Sequence, residues 1–279
     1  MHRVPEEGLT PVSTARPPAP IGPRLVVALI AAASVPACGG ADRGAPPLPP
    51  EAWMDRPVAE WPDFALSNEV VFADTLYGYL ANAFAVDTGA DTIGVTCKHI
   101  FMVFRNQRGT TSITLDDAFR SWSFVSSRDS TRVLRARRLI NEDPAEPIGD
   151  FASIKDRDWI IFELDGWGDG IYPLKLRLTP LEPGETIYAV GRSLDGRHDP
   201  DPVPSPLRVF RSASTYYYVR PLNPSVDPVH TSGSPVIDAD GYLVGLVSGA
   251  VGNLGVVAGV GYLRQQLDLH GIPYDDTRP

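Results

Sequence analysis

The feature that most constrains the fold is a series of short apolar runs, each ended by a turn signal. One run covers residues 79–86, a turn follows over 87–91, and a second run covers 92–96. Apolar runs separated by Gly, Asp and Pro clusters are typical of antiparallel strands. The remaining runs are residues 121–126, 133–138, 159–164, 186–190, 207–211, 215–220, 235–237, 242–248 and 255–260. Their spacing predicts an all-β barrel or sandwich protein, and it is compatible with two similar barrels.

Helical periodicity is strong only at residues 262–269, after the last predicted strand. The chain has 279 residues, of which 43% are hydrophobic and 21% are charged. This composition supports a single soluble, well-cored domain of about 220 residues after removal of a leader and a linker. The formal net charge of −9 argues against nucleic acid as the main partner.

The N-terminal segment has the layout of a secretory signal. Arg24 precedes an apolar core of about ten residues and then small residues before a cysteine. Residues 35–38 (VPAC) resemble a bacterial lipobox, which implies acylation of Cys38; cleavage of an ordinary signal peptide nearby is the alternative. We therefore predict an extracytoplasmic, membrane-anchored bacterial lipoprotein in the periplasm or at the cell surface.

Composition also predicts the domain boundaries. Residues 39–50 (GGADRGAPPLPP) bury little surface and suit an extended tether. We expect a signal segment over residues 1–37, a lipid-anchored tether over 38–52 and the folded domain over 53–279. Acylation of Cys38 would leave Cys97 without an intramolecular partner, so the fold would depend on its core alone.

One loop combines small residues around a serine just before the Asp-Gly hairpin of residues 238–241. Residues 230–236 read HTSGSPV, which would expose the Ser232 hydroxyl and leave backbone N–H groups free to converge. A nucleophile that attacks a carbonyl needs such donors for the oxyanion that develops. Ser-Gly-Ser-Pro loops are also common in ordinary surface turns, so this motif alone does not decide function.

A serine nucleophile needs a base and a carboxylate that orients it. Among the five histidines, His99 ends an apolar strand (IGVTCKHIF), whereas His2, His198 and His270 lie in the leader, in a polar loop and at the end of the last helix. Asp158 immediately precedes an apolar strand, and Asp156 is its rival two positions earlier. Strand alternation fixes the direction of a side chain at the strand boundary, so Asp158 is favoured.

These three elements together resemble the trypsin-like (chymotrypsin-fold) serine peptidases, especially the bacterial glutamyl endopeptidase and trypsin-like peptidase branch. The segments that carry the resemblance are VTCKH at 95–99, DWII at 158–161 and SGSPV at 232–236, in the family's order His, Asp, Ser. The resemblance covers about residues 65–270. It implies two antiparallel six-stranded β-barrels, a C-terminal helix and a catalytic triad of His99, Asp158 and Ser232 at the junction of the barrels.

The same resemblance implies the rest of the site. The N–H groups of His230 and Ser232 would hold the oxyanion, although active family members have Gly where this chain has His230. Thr231 replaces the Asp of digestive-type enzymes, so activation by an inserted N-terminus is not expected. Substrate-binding residues are expected at the pocket floor and wall: Val226, Asp227, Ser248, Gly249 and Ala250.

The leading hypothesis is therefore a serine endopeptidase that acts on proteins or peptides through an acyl-enzyme intermediate and uses no cofactor. The alternative is a catalytically impaired lipoprotein of the same fold that binds or senses a ligand, with His230 disrupting the oxyanion hole. A carboxylester hydrolase is a third possibility, but the Gly-x-Ser-x-Gly elbow and its following helix are absent from the sequence. No histidine or cysteine spacing indicates a metal site. The sequence predicts neither the cleavage specificity nor the oligomeric state.

Overall fold

The computed structural model describes residues 50–192, 201–223 and 231–276. The first half contains the strands β1 (Leu66–Phe72), β2 (Leu76–Asp87), β3 (Thr92–Thr96), β4 (Ser112–Ile113), β5 (Phe119–Ser126), β6 (Val133–Leu139), β7 (Asp143–Pro147), β8 (Ile160–Leu164) and β9 (Leu174–Lys175). The second half contains β10 (Thr186–Gly191), β11 (Val203–Ser212), β12 (Tyr216–Pro221), β13 (Pro235–Ile237), β14 (Leu243–Val251) and β15 (Leu254–Gly259). The helices are α1 (Ile100–Arg108), α2 (Phe151–Ile154) and α3 (Val260–Leu269), and a 3-10 turn covers Val58–Glu60.

The strands form two six-stranded antiparallel barrels, which confirms the predicted fold class. The first barrel has the order β1-β5-β6-β8-β3-β2 and closes by pairing of β2 with β1. The short strand β9 adds to β2 in parallel, and β4 and β7 form a separate pair. The second barrel has the order β10-β11-β12-β15-β14-β13 and closes between β13 and β10.

The buried side chains form three apolar clusters, and the alternation of side chains along each strand decides which cluster a residue joins. In β8, Ile160 and Phe162 point into the first barrel, whereas Ile161 and the preceding Trp159 join a cluster shared with the second barrel. This division follows from the period of two in a strand, because both faces of β8 are covered. Each fully buried large side chain contributes about 1.5–3 kcal/mol, so the shared cluster holds the barrels together.

The C-terminal helix adds to that shared cluster. Leu263 and Leu267 of α3, one helical turn apart, are both fully buried in it. The sequence predicted this helix over 262–269, and it begins two residues earlier, directly after β15. No helix in the described ranges is long and apolar enough to cross a membrane.

Strand β1 and helix α1 are among the elements that were not predicted. Strand β1 closes the first barrel, and its residues alternate between buried and half-buried. Helix α1 begins directly after His99, where the sequence pattern indicated only that the chain leaves the sheet. It ends at Gly109, whose φ of 76° is the left-handed conformation that commonly terminates helices.

Candidate active site at the junction of the barrels

His99 lies where β3 ends and α1 begins, and two bonds tie it to one carboxylate. Its backbone N–H donates to Oδ1 of Asp158 at 2.8 Å. Its ring Nδ1 lies 2.7 Å from Oδ2 of the same residue. Because an ionised carboxylate only accepts, Nδ1 carries the proton and Nε2 of the neutral ring is free to accept one. The rival Asp156 makes no hydrogen bond to His99.

Asp158 is fully buried, and its carboxylate also accepts a hydrogen bond from a residue of the other barrel. The Ser248 hydroxyl, in β14, donates to Oδ2 of Asp158 at 2.5 Å. Ser248 is itself only 1% exposed. The sequence placed Ser248 in the wall of a substrate pocket, and in the structure its hydroxyl bonds to Asp158.

The surroundings of His99 alter its acidity. Burial lowers the pKa of His99, but the negative charge of Asp158, the Cys97 sulfur and the hydrogen bond to Asp158 outweigh it, so the pKa lies well above the usual 6.5. Favourable interaction of the imidazolium with a buried carboxylate has this effect in general. The arrangement therefore stabilises the charged ring that forms when His99 accepts a proton.

Cys97 also contacts the imidazole. Its Sγ lies 3.7 Å from Nε2 of His99, and the residue is fully buried. In the described residues, Ser232 makes no hydrogen bond to His99, so the thiol is the neighbour of Nε2. Bonds between nucleophile and base are often loose without substrate. A productive reaction would require the Ser232 hydroxyl to reach this nitrogen.

Ser232 lies in a tight loop that is fixed from both barrels. The backbone N–H of Asn82, in β2, donates to the Ser232 carbonyl at 2.9 Å. The N–H of Gly233 donates to the Val247 carbonyl of β14 at 2.8 Å. Ser232 itself is half-buried, so the loop that carries it is partly accessible to solvent.

Gly233 has a specific reason to be glycine. Its φ is 78°, and a Cβ at this position would lie 2.1 Å from the Asn82 carbonyl oxygen. Any larger residue would have to push the loop away from β2, because that separation is far below a van der Waals contact. The Ser-Gly pair of the sequence motif thus lets the loop approach the first barrel.

A buried amide network supports the strand that receives this loop. The side-chain amide of Asn68 donates to the Ala81 and Asn82 carbonyls at 2.9 and 3.1 Å and to Thr96 Oγ1 at 2.9 Å. Its Oδ1 accepts from the indole of Trp122 at 2.8 Å. A fully satisfied buried network of this kind rigidifies its surroundings. It was not predicted, because its members lie on separate strands.

The fold has been observed in solved proteases. The active form of the Rv3671c protease from M. tuberculosis has a TM-score of 0.52 at 16% identity, covering 84% of this chain and 94% of that one. Its inactive form has a TM-score of 0.49 at 16% identity, and the match covers 81% of this chain and 100% of that one. A serine endoprotease from Yersinia pestis has a TM-score of 0.48 at 12% identity, and the match covers 76% of this chain and 65% of that one. The sequence matches no family model and no curated protein. The fold is chymotrypsin-like.

Within this chymotrypsin-like fold, one strand edge is open beside Ser232. Strand β14 pairs with β13 through Leu246, and Val247 bonds to the loop that carries Ser232. Residues 249–251 pair only with β15, so their other edge has no strand partner within the described ranges. An extended peptide can add to such an edge through main-chain hydrogen bonds.

The remaining predicted site residues have different outcomes. Gly249 is half-buried and Ala250 is exposed, both on the open edge of β14. The predicted oxyanion residue His230 and the predicted pocket residues Val226 and Asp227 lie outside the described residues, as does Cys38. No cluster of potential metal ligands occurs in the described parts of the chain.

Asn82 is a site residue that sequence reasoning missed. Its side-chain amide donates to the Arg192 carbonyl at 2.9 Å and lies 3.4 Å from the Ser232 carbonyl, while its Oδ1 accepts from the Arg192 N–H at 3.0 Å. The side chain is 6% exposed. It thus attaches the end of β10 and the serine loop to the first barrel. A polar residue within an apolar strand was the only signal that could have indicated this role.

Proposed function

We propose that this protein is a serine endopeptidase in which His99, Asp158 and Ser232 form the triad. The observation that carries the proposal is the geometry of His99: Asp158 binds both its backbone N–H and Nδ1, so Nε2 is the ring nitrogen that can accept a proton. Ser232 would attack the substrate carbonyl while His99 takes its proton. His99 would then return the proton to the leaving amine, and water would hydrolyse the acyl-enzyme.

The open edge of β14 supports a peptide substrate over a simple ester. An extended main chain would satisfy the free backbone groups of residues 249–251, which an ester lacking amides could not. The oxyanion would be held by the N–H groups of Ser232 and His230, as the family resemblance implies. We also propose the bacterial glutamyl endopeptidase and trypsin-like peptidase branch as the nearest relatives, on the sequence motifs alone.

A fluorophosphonate probe tests the nucleophile directly. We expect covalent addition of one probe to the full-length protein, measured by intact mass, and loss of addition in Ser232→Ala and His99→Ala. Ser234→Ala is the matched control, since its buried hydroxyl makes no hydrogen bond in the described residues and lies two positions along the same loop. No addition to folded wild-type protein would overturn the proposal.

The second candidate is a non-catalytic binding or sensing protein. The observation that favours it is the position of the Cys97 sulfur beside Nε2, together with the absence of a described hydrogen bond between Ser232 and His99. In this case the probe would not react, whereas the chain would remain folded. Cleavage of a peptide library by wild type, but not by Ser232→Ala, would exclude this candidate.

We propose in addition that Cys38 is acylated and anchors the protein outside the cytoplasm. The proposal is supported by the lipobox-like residues 35–38 and the tether that follows them. Labelled palmitate should be incorporated by the wild-type chain expressed in bacteria and not by Cys38→Ser. Equal labelling of both would contradict acylation at this position.

A further inference from the structure

Glu146 of β7 binds two cations, and each belongs to the residue directly before a member of the His99–Asp158 pair. Nζ of Lys98 donates to Oε1 and Oε2 of Glu146 at 3.1 and 2.9 Å. Nε of Arg157 forms an ion pair with Oε1 of the same carboxylate at 3.4 Å. One carboxylate therefore bridges the two chain segments that carry His99 and Asp158.

The half of this bridge that involves Lys98 is buried. The side chain of Lys98 is 1% exposed and that of Glu146 is 11% exposed, whereas the Arg157 side chain is 39% exposed. The Tyr262 hydroxyl of α3 accepts a further hydrogen bond from Lys98 Nζ at 3.4 Å. Burial of an ion pair costs desolvation that largely offsets its attraction. Stability alone therefore does not account for a lysine and a glutamate at these positions.

The strand that carries Glu146 is itself held in place. Strand β7 pairs with β4, and Glu146 is the one residue of β7 that is not exposed. Arg105 of α1 donates through Nη1 to the carbonyls of Ile148 and Gly149, directly after β7, at 3.0 Å each. Because its strand is fastened at both edges, the carboxylate is a fixed point for the two cations that bind it.

The cations are one residue away from the groups that they locate. His99 follows Lys98, Asp158 follows Arg157, and the Lys98 N–H also donates to the Asp158 carbonyl at 3.3 Å. We propose that Glu146 is a positioning residue that fixes the separation of His99 and Asp158 by binding the cation that precedes each of them. Glu146 touches no reacting atom and acts only through the alignment of the base. The inference rests on the proposed function for its kinetic test.

Glu146→Gln tests the bridge, because the amide keeps the shape of the side chain and removes its charge. The maximal rate of labelling by the fluorophosphonate probe should fall by about 10- to 100-fold, since a displacement of about 1 Å in a catalytic group has an effect of this size. The half-saturating probe concentration should stay the same, because within the described ranges no hydrogen bond or ion pair joins Glu146 to the serine loop.

Proton NMR measures the same geometry without any need for activity. The Nδ1 proton of His99 lies in a contact of 2.7 Å with Oδ2 of Asp158. It should resonate far downfield, because a short hydrogen bond to a carboxylate deshields the proton. In Glu146→Gln the resonance should move upfield as the contact lengthens. If Glu146 contributes to stability alone, the variant will unfold more easily with an unchanged resonance and labelling rate, and the inference will be wrong.

Glu51→Gln is the matched control. The Glu51 side chain is also 11% exposed, binds Lys175 Nζ at 2.6 Å and accepts a hydrogen bond from the Tyr172 hydroxyl. It forms no ion pair with Lys98 or Arg157. Its loss should lower the free energy of unfolding without a change in the labelling rate or in the His99 resonance. Equal losses of labelling rate in the two variants would refute a specific role for Glu146.

A double substitution keeps the test available if Glu146→Gln does not fold. Lys98→Met/Glu146→Gln also removes the buried lysine that would otherwise lose its partner. The bridge is still absent, so the labelling rate should remain low. Recovery of the wild-type rate would overturn the inference, because the loss in Glu146→Gln would then come from the unpaired lysine. If the wild type is not labelled, but its downfield resonance moves upfield in Glu146→Gln, the proposed function fails and the positioning role stands.

Discussion

The buried charge of Asp158 governs the protonation of His99. Asp158→Asn removes that charge while burial, which lowers the pKa of His99, remains. We therefore expect the pKa to fall from its raised value, as measured by pH titration of the imidazole nitrogens by NMR. By the triad mechanism, kcat/KM should also fall by about 10,000-fold, since the amide does not hold the ring in the same tautomer.

The raised pKa of His99 affects the pH dependence of both activity and stability. The base must be neutral, so kcat/KM should rise with pH through the raised pKa of His99 in the wild type and through a lower pKa in Asp158→Asn. The raised pKa also means that the pair stabilises the fold fully below about pH 6.5 and loses this contribution as pH rises through the folded pKa. Asp156→Asn is the control, and an unchanged His99 pKa in Asp158→Asn would refute this assignment.

At the scale of elements, the approach of the serine loop to β2 depends on Gly233. Gly233→Ala should destabilise the protein by about 2–4 kcal/mol, because left-handed strain is added to a collision with a backbone oxygen. Thermal unfolding measures the loss, and labelling by fluorophosphonate should slow. Gly252→Ala is the matched control: its φ of 61° is also left-handed, but nothing lies within 4 Å of an added Cβ.

The control isolates the collision from the backbone strain. Gly252→Ala should cost only about 1 kcal/mol, the strain of a left-handed alanine. If both substitutions cost the same, the close contact between the serine loop and β2 would not contribute to stability. If Gly233→Ala unfolds the protein, the labelling result becomes uninformative but the stability prediction holds.

Strands were easier to predict from the sequence than the elements around the site. Strand β3 occupies the predicted residues 92–96, and β13 the predicted 235–237, because turn residues flank both. Helix α1 was missed since its first apolar residues continue the run of β3, and a short apolar run does not distinguish strand from helix. The sequence signals that could have indicated this helix are Gly109, directly after its last residue, and the basic residues of its last turn.

At the scale of the molecule, the predicted pairing of distant motifs succeeded only in part. The sequence motifs predicted that His99 pairs with Asp158, and the hydrogen bond between their side chains is present. It did not predict that Ser248, 90 positions beyond Asp158, donates to the carboxylate from the other barrel. Local patterns specify strands and turns, whereas contacts between barrels depend on how two closed sheets pack. Those contacts become visible only in three dimensions.

Asn82 is the contact through which the barrels position the serine, although 150 positions separate it from Ser232. Asn82→Ala should cost about 2–3 kcal/mol, since it removes the hydrogen bonds that the Asn82 side chain makes with the Arg192 N–H and carbonyl, and should slow fluorophosphonate labelling. Asn141→Ala is the matched control, because this buried amide likewise bonds an N–H and a carbonyl, of Ile161 and Trp159, within the first barrel. We expect similar losses in unfolding free energy but slower labelling only in Asn82→Ala. Equal labelling rates would mean that barrel docking, without Asn82, suffices to place the nucleophile.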